Sequence, residues 1–307
     1  MARRRKGEAI HGWLVVDKPL GVSSAAVVGQ AKRLLNAAKV GHGGTLDPLA
    51  SGLLPLAFGE ATKTVAYAMD GAKSYRFTVR WGEGRDTDDA EGKVIATSDR
   101  RPSEAEIRAI LPRFIGEISQ MPPAFSALKV DGQRAYDLAR DGEAPDLSAR
   151  IVRIDDLRLV RIIDVDHAEF EVDCGKGTYV RALGRDFGQI LGCHGYIAAL
   201  RRTRVGPFTE KHAISLDSDR ESNDLPRLSE RLLPLLTVLD DILAVAVTEE
   251  EAKRLAQGQP VMLENSRIPT LQTQTGDEIA IAICAEKPVA LVTLDAGVLR
   301  PQRVFNL

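Results

Sequence analysis

Gly41-His42-Gly43-Gly44-Thr45-Leu46-Asp47-Pro48-Leu49-Ala50-Ser51-Gly52-Leu53-Leu54-Pro55-Leu56-Ala57-Phe58, running on toward Lys63, is the stretch whose reading decides the rest. It holds one carboxylate, Asp47, among glycines. Glycine reaches backbone conformations closed to other residues and allows close approach to a ligand. Pro48 disfavours helical geometry at Asp47 and pushes it toward an extended or turn conformation. Ser51-Gly52 is expected to end that turn, and Leu53, Leu54, Leu56, Ala57 and Phe58 follow as an apolar run. One reading is a rigid apolar platform carrying a single acid on an open loop. The other is a turn aspartate, since Asp, Pro and Gly are the common loop residues. Local spacing leaves the two open.

Outward from this loop, Trp13 to Val16 reads as a short buried strand closed by Asp17-Lys18-Pro19. Ser23 or Ser24 can cap a helix to about Leu35, and Glu60 to Met69 suggests another short helix. Tyr75, Phe77, Val79 and Trp81 alternate with Arg76, Thr78 and Arg80, the period of a half-buried strand. The acidic stretch from Gly82 to Gly92 is expected to be a turn or long hairpin loop, with Val94 to Ala96 returning. Ser103 and Glu106 form a capping box that opens a helix to about Ile115. Pro122 and Pro123 rule out regular structure in the stretch from Met121 to Lys129; an exposed arm and a plain connection both fit it. Ile151 to Ile163 and Ala168 to Val172 are strand-like. Gly175-Lys176-Gly177-Thr178 then enters a helix to about Leu191. The glycines and lysine fall short of the phosphate-loop pattern, so nucleotide triphosphate hydrolysis is rejected. Leucines from 225 to 236 suggest one or two helices broken by Pro226 and Pro234, and Thr248 with Glu251 caps another. Ile279 to Ile283, Val289 to Leu294 and Arg303 to Phe305 read as the strands of a small β-rich module.

With 307 residues the chain has room for two domains. Its apolar runs are too short to span a bilayer, and the basic N-terminus has no apolar stretch behind it, so no secretory signal is expected. Cys174, Cys193 and Cys284 lie far apart, which argues against a zinc site or disulfide framework and fits a reducing cytoplasm. A net charge of −2 does not by itself suggest a nucleic-acid partner. The signs are segregated, however. Basic clusters occur at Arg3 to Lys6 and Arg201 to Arg204, and acid collects at Asp86 to Glu91 and between Asp217 and Asp224. A basic groove is therefore possible.

Taken together, these motifs resemble the bacterial tRNA pseudouridine-55 synthases of the TruB type. The resemblance is carried by Gly41 to Pro55, by Lys73-Ser74-Tyr75-Arg76-Phe77, by Pro122 to Lys129, by Gly177-Thr178-Tyr179-Val180-Arg181 and by Leu200-Arg201-Arg202. These occur in order along nearly the whole chain, with Asp17-Lys18-Pro19 near its start. The resemblance implies an α+β fold around a mixed, mostly antiparallel sheet over residues 1–236. It also implies an RNA-gripping insertion at about 120–150, and a PUA-like RNA-binding domain over residues 237–307. The implied reaction isomerises uridine 55 in the T-arm loop of tRNA, with no cofactor, no metal and no obligatory protein partner. A cytoplasmic monomer is expected.

The same resemblance implies roles. Asp47 is the essential carboxylate, acting on the ribose as the glycosidic bond breaks. Arg181 is its partner, since a nearby cation favours a charged carboxylate. The target base must be flipped out to reach a pocket, where Tyr75 stacks on it, Tyr179 is a candidate base and Leu200 packs the uracil edge. A phenol's ordinary pKa of about 10 makes it a reluctant base unaided. His42 is placed beside the flipped nucleotide's neighbours. Lys63, Lys129, Arg201 and Arg202 become candidate phosphate contacts. Thr45 departs from the alanine that relatives carry, a change expected to be neutral. Two rivals remain: a guide-RNA-dependent synthase, and a non-catalytic protein that binds and folds tRNA.

Overall fold

The computed structural model describes residues 7–126, 128–130, 132–140, 146–216, 225–264 and 278–307. The Arg3 to Lys6 cluster, the acidic run at 217–224 and residues 141–145 of the expected arm lie outside these. The first part of the chain builds one ten-stranded sheet. Its main elements are β1 (Gly12–Lys18), helix α1 (Ser24–Leu34), β2 (Ala50–Phe58), β3 (Lys73–Trp81), β4 (Gly116–Gln120), β5 (Arg150–Ile162), β6 (His167–Cys174), helix α2 (Val180–Ile190) and β7 (Gly195–Val205). Across the sheet the order is Ala213–Ile214, β1, β2, β7, β3, β6, β5, β4. Most neighbours are antiparallel. The parallel exceptions are Ala213–Ile214 beside β1, and β2 beside β7. The fold is thus α+β with a mixed, mostly antiparallel sheet.

The alternation in β3 does what its period requires. Tyr75, Phe77, Val79 and Trp81 are buried, while Arg76 faces outward and pairs with Glu171 of β6. Phe77 stacks on Phe170 at 5.4 Å, and Phe187 of α2 closes over both. Each large apolar side chain so buried contributes about 1.5–3 kcal/mol. This cluster is the floor under the parallel β2–β7 junction, where Ala50 lies opposite Leu200.

Several local expectations shift. Ser23 is the cap of α1, and Ser24 is buried and turned elsewhere. The helix expected over 60–69 is two short pieces, Gly59–Lys63 and Val65–Asp70, joined at Thr64. Ser51-Gly52 does not end the turn; both residues lie inside β2. Gly52 has φ of +97°, and a Cβ there would sit 2.2 Å from the Arg202 carbonyl oxygen, so only glycine lets β7 come this close. Val94–Thr97 returns as expected, but it pairs with Glu83–Arg85 in a separate hairpin.

The C-terminal β-rich region forms a second, five-stranded sheet in the order Leu243–Ala246, Glu278–Cys284, Lys287–Asp295, Val298–Val304, Val261–Met262. Helix Glu249–Ala256, with its Thr248–Glu251 capping box, packs on it. Ile281, Leu291 and Phe305 join the same apolar cluster as Trp13, Ala57 and Ala61, so the two sheets share buried surface. Among the described residues no helix is long and apolar enough to cross a membrane.

Candidate active site

The loop that carries Asp47 is clamped from three sides. Ser24 Oγ donates to the Leu46 carbonyl and accepts from the Leu46 N–H, at 2.9 Å each way. Lys18 is fully buried, and its ammonium donates to the carbonyls of Pro19, Val22 and Pro48 at 2.9, 2.7 and 3.2 Å. The Gly21 N–H adds a second bond to Pro48. Arg202, 1% exposed, donates to the carbonyls of Gly44, Thr45 and Leu53. Burial pushes the Lys18 ammonium down from its ordinary pKa; the nearby Asp47 opposes this and Arg202 adds to it. A buried cation without acceptors would be costly. Here the carbonyls of Pro19, Val22 and Pro48 supply them for Lys18, and the Pro48 bond helps to fix the Asp47 loop in return.

Asp47 projects from this clamped loop with its side chain 45% exposed. Arg181 Nε lies 3.0 Å from Asp47 Oδ2. The same guanidinium donates to the Thr87 carbonyl at 3.0 Å and the Phe125 carbonyl at 2.8 Å, and lies 3.4 Å from Asp89 Oδ2. Its surroundings thus hold it on four sides. A cavity of about 190 Å³ opens beside the pair, and Asp47, Tyr75, Tyr179, Arg181 and Leu200 all line it. Thr45 also reaches this wall. One flat ring between an apolar edge and two phenols, with a carboxylate at its rim, suits such a space.

Burial raises the pKa of the Tyr75 phenol, with the Arg202 guanidinium opposing. Burial likewise raises that of Tyr179, against the Ser126 hydroxyl and Arg181. Both shifts favour the neutral phenol, the form that can donate a hydrogen bond. Tyr179 is the N-terminal cap residue of α2, and the buried Gln120 amide holds its backbone in both directions, at 2.9 and 3.2 Å.

The expected phosphate contacts fare differently. Arg202 is corrected outright: its donors are spent on loop carbonyls inside the fold, out of reach of a phosphate. Lys63 bonds Glu60 at 2.5 Å and the Val304 carbonyl at 2.6 Å, at the joint with the C-terminal sheet. Arg201 points to the other face of β7 and is held by both oxygens of Asp17 and by Glu210. Lys129 lies in a two-residue strand paired with Gln133–Arg134 of the arm; its side chain is outside the described residues. His42 stands on the strand Val40–His42 and is not among the residues that line the cavity. Its Nδ1 is buried without a partner among the described residues, and burial, then Arg202, lowers its pKa.

Sequence reasoning missed four members. Ser24 was one of two serines able to cap the same helix. Lys18 stood in a quoted motif with no acceptor in view. Asp88 and Asp89 belonged to a stretch that read as a solvated acidic face, yet both are only 7% exposed and pair with Arg185 and Arg181.

This fold, with its guanidinium-paired aspartate beside a small two-phenol cavity, defines a pseudouridine synthase, and the comparisons agree. Residues 32–180 match the model of the TruB family pseudouridylate synthase N-terminal domain, and residues 181–240 match that of the tRNA pseudouridylate synthase B C-terminal domain. Proteins named tRNA pseudouridine synthase B from Rhodospirillum rubrum and Caulobacter vibrioides are 54% and 52% identical, over 100% of this chain and 100% of each relative. A chain in a Cbf5-Nop10-Gar1 complex superposes with a TM-score of 0.74 at 24% identity, covering 96% of this chain and 84% of that one. Another, in an H/ACA ribonucleoprotein bound to a substrate RNA containing 2′-deoxyuridine, gives 0.73 at 20%, covering 100% and 92%. At that identity the likeness speaks for the fold. The chain belongs to the TruB family of pseudouridine synthases.

Proposed function

We propose that this protein isomerises uridine 55 in the T-arm loop of tRNA to pseudouridine, as a cytoplasmic monomer needing no protein partner. Residues 1–236 form the catalytic domain, residues at about 120–150 grip the RNA, and residues 237–307 form a PUA-like RNA-binding domain. The observation that carries this reading is the Arg181-paired Asp47 carboxylate at the mouth of a cavity walled by Tyr75, Tyr179 and Leu200. The end-to-end relatives are named for tRNA, which favours that substrate over a guide-RNA target. An intact carboxylate site argues against a protein that only binds.

In the reaction the C1′–N1 bond breaks and a C1′–C5 bond forms. The C5 proton is lost and N1 gains one, so the composition of the nucleoside is unchanged. Asp47 faces the ribose of the flipped nucleotide and acts on it, by attack or by proton removal, as the first bond breaks. Tyr75 stacks on the detached ring, worth about 1–3 kcal/mol for an aromatic–base pair. Leu200 closes the ring's apolar edge, and Tyr179 orients its polar edge while it turns. His42 contacts the neighbours of the extruded nucleotide. Lys129 on the arm and Arg201, once released from Asp17 and Glu210, remain the cationic candidates for phosphate.

The test is pseudouridine mapping on an unmodified tRNA transcript incubated with the purified protein alone. Conversion at position 55, lost in Asp47→Asn while tRNA binding persists, is the expected result. Conversion by the Asp47→Asn protein, or none by the wild type, overturns the reading.

A further inference from the structure

Ser126 stands at the root of the arm and is 2% exposed. Its hydroxyl oxygen is buried without a hydrogen-bond partner among the described residues. Folded proteins rarely leave such a group unsatisfied without a reason. The backbone around it is firmly placed. The Ser126 N–H donates to Ala124, and its carbonyl accepts from Tyr136, at 3.1 and 3.0 Å. Its neighbour Phe125 gives its carbonyl to Arg181 at 2.8 Å. On the other side of the arm root, Gln120 fixes the backbone of Tyr179. The Arg181 guanidinium and the Tyr179 backbone are therefore both held by residues at 120–126.

The Tyr179 phenol is the polar group of the site that the Ser126 hydroxyl neighbours. In this structure the contact falls short of hydrogen-bond geometry. It is still close enough for Ser126 to be the leading influence opposing the burial-driven rise in the Tyr179 pKa, ahead of Arg181. A hydroxyl can donate and accept, so either member of this pair can supply the proton.

We propose that Ser126 is a positioning residue: in the working enzyme its hydroxyl hydrogen-bonds the Tyr179 phenol oxygen, so that the arm root completes the active site. The inference rests on the isomerase reading above. The arm then does more than hold RNA. Its seating sets the Tyr179 hydroxyl through Ser126 and the Arg181 guanidinium through Phe125. Ser126 touches no reacting atom, and its effect passes through Tyr179.

The test is a double-mutant cycle with Ser126→Ala and Tyr179→Phe, read as single-turnover rate, tRNA affinity and Tm. Ser126→Ala is expected to slow pseudouridine formation roughly five- to tenfold, the order set by one neutral hydrogen bond. tRNA affinity should be unchanged and Tm not lowered, since the hydroxyl has no hydrogen-bond partner among the described residues. In the Tyr179→Phe background the same change should have no further effect. An unchanged rate in Ser126→Ala overturns the proposal. So does an equal loss in the Tyr179→Phe background, or a loss that follows falling Tm or affinity. A wild type that makes no pseudouridine sinks the isomerase reading and this inference with it. An active wild type matched by Ser126→Ala sinks the inference alone.

Discussion

Ser24 Oγ meets both backbone polar groups of Leu46, donating to its carbonyl and accepting from its N–H at 2.9 Å each way. One hydroxyl thereby does for a loop residue what a neighbouring strand does in a sheet, one position before Asp47. Ser24→Ala leaves a buried N–H and a buried carbonyl unpaired. The expected cost is about 2–3 kcal/mol of stability. The rate should fall further than tRNA affinity does, because the carboxylate's aim is lost while the RNA surface stays. Denaturant unfolding and single-turnover kinetics on the same variant check both parts. Full activity in a destabilised Ser24→Ala would show that the clamp does not aim Asp47.

Arg181 serves Asp47, Asp89 and two carbonyls with one planar group. A lysine keeps the charge but offers a point donor on a flexible stem, so it cannot make these contacts together. Arg181→Lys is expected to lower kcat by about 10²–10³, as for loss of a preorganised electrostatic partner. The root of the arm should loosen as well, since Phe125 loses its donor. Hydrogen exchange at residues 121–126 reads this directly; unchanged protection there would break the link between the arm and the guanidinium.

What was legible in the sequence was local. The alternation from Tyr75 to Trp81 gave a strand and its buried face, and the Ser103 and Thr248 boxes gave helix starts, because those signals lie within a few residues. The site was legible as roles carried by resemblance, and the structure brings Asp47, Tyr75, Tyr179, Arg181 and Leu200 to one cavity. The supports were not legible. Lys18 finds Pro48 at a separation of 30 residues and Arg202 finds Gly44 at 158, and nothing near either residue names its acceptor. One signal was available and unused: adjacent residues of a strand face opposite sides, so Arg201 and Arg202 could not both line one phosphate path.

Arg202 gives a sharp contrast between two jobs. A phosphate-contacting arginine, once removed, weakens tRNA binding and lowers the salt slope by about one. A buried clamp does neither. Arg202→Lys cannot reach the carbonyls of Gly44, Thr45 and Leu53 at once. It is expected to lower stability by about 2–3 kcal/mol and to leave the salt dependence of tRNA affinity unchanged. Filter binding across a salt series decides it, and a slope reduced by about one would restore Arg202 to the RNA surface.

Asp88 ties the acidic turn to α2 through Arg185 at 2.9 Å, with a φ of +61° that asparagine tolerates well. Burial pushes its carboxyl up to about 6, against the pull of Arg185 and Arg181. The unfolded chain releases this proton near the ordinary aspartate value of 3.8, while the folded chain keeps it until about 6. Between those values the native state binds more protons, so this group's contribution to stability falls as pH rises. Above about 6 the favourable contribution is gone, and below 3.8 it is fully present. Asp88→Asn removes the titration while keeping the shape. Its stability relative to wild type should therefore climb from pH 4 to pH 6 and then level off, whatever constant offset the lost ion pair adds. Urea unfolding of both proteins across that range measures the difference. A difference that stays flat, or falls with rising pH, would mean that Arg185 outweighs burial and holds Asp88 ionised throughout.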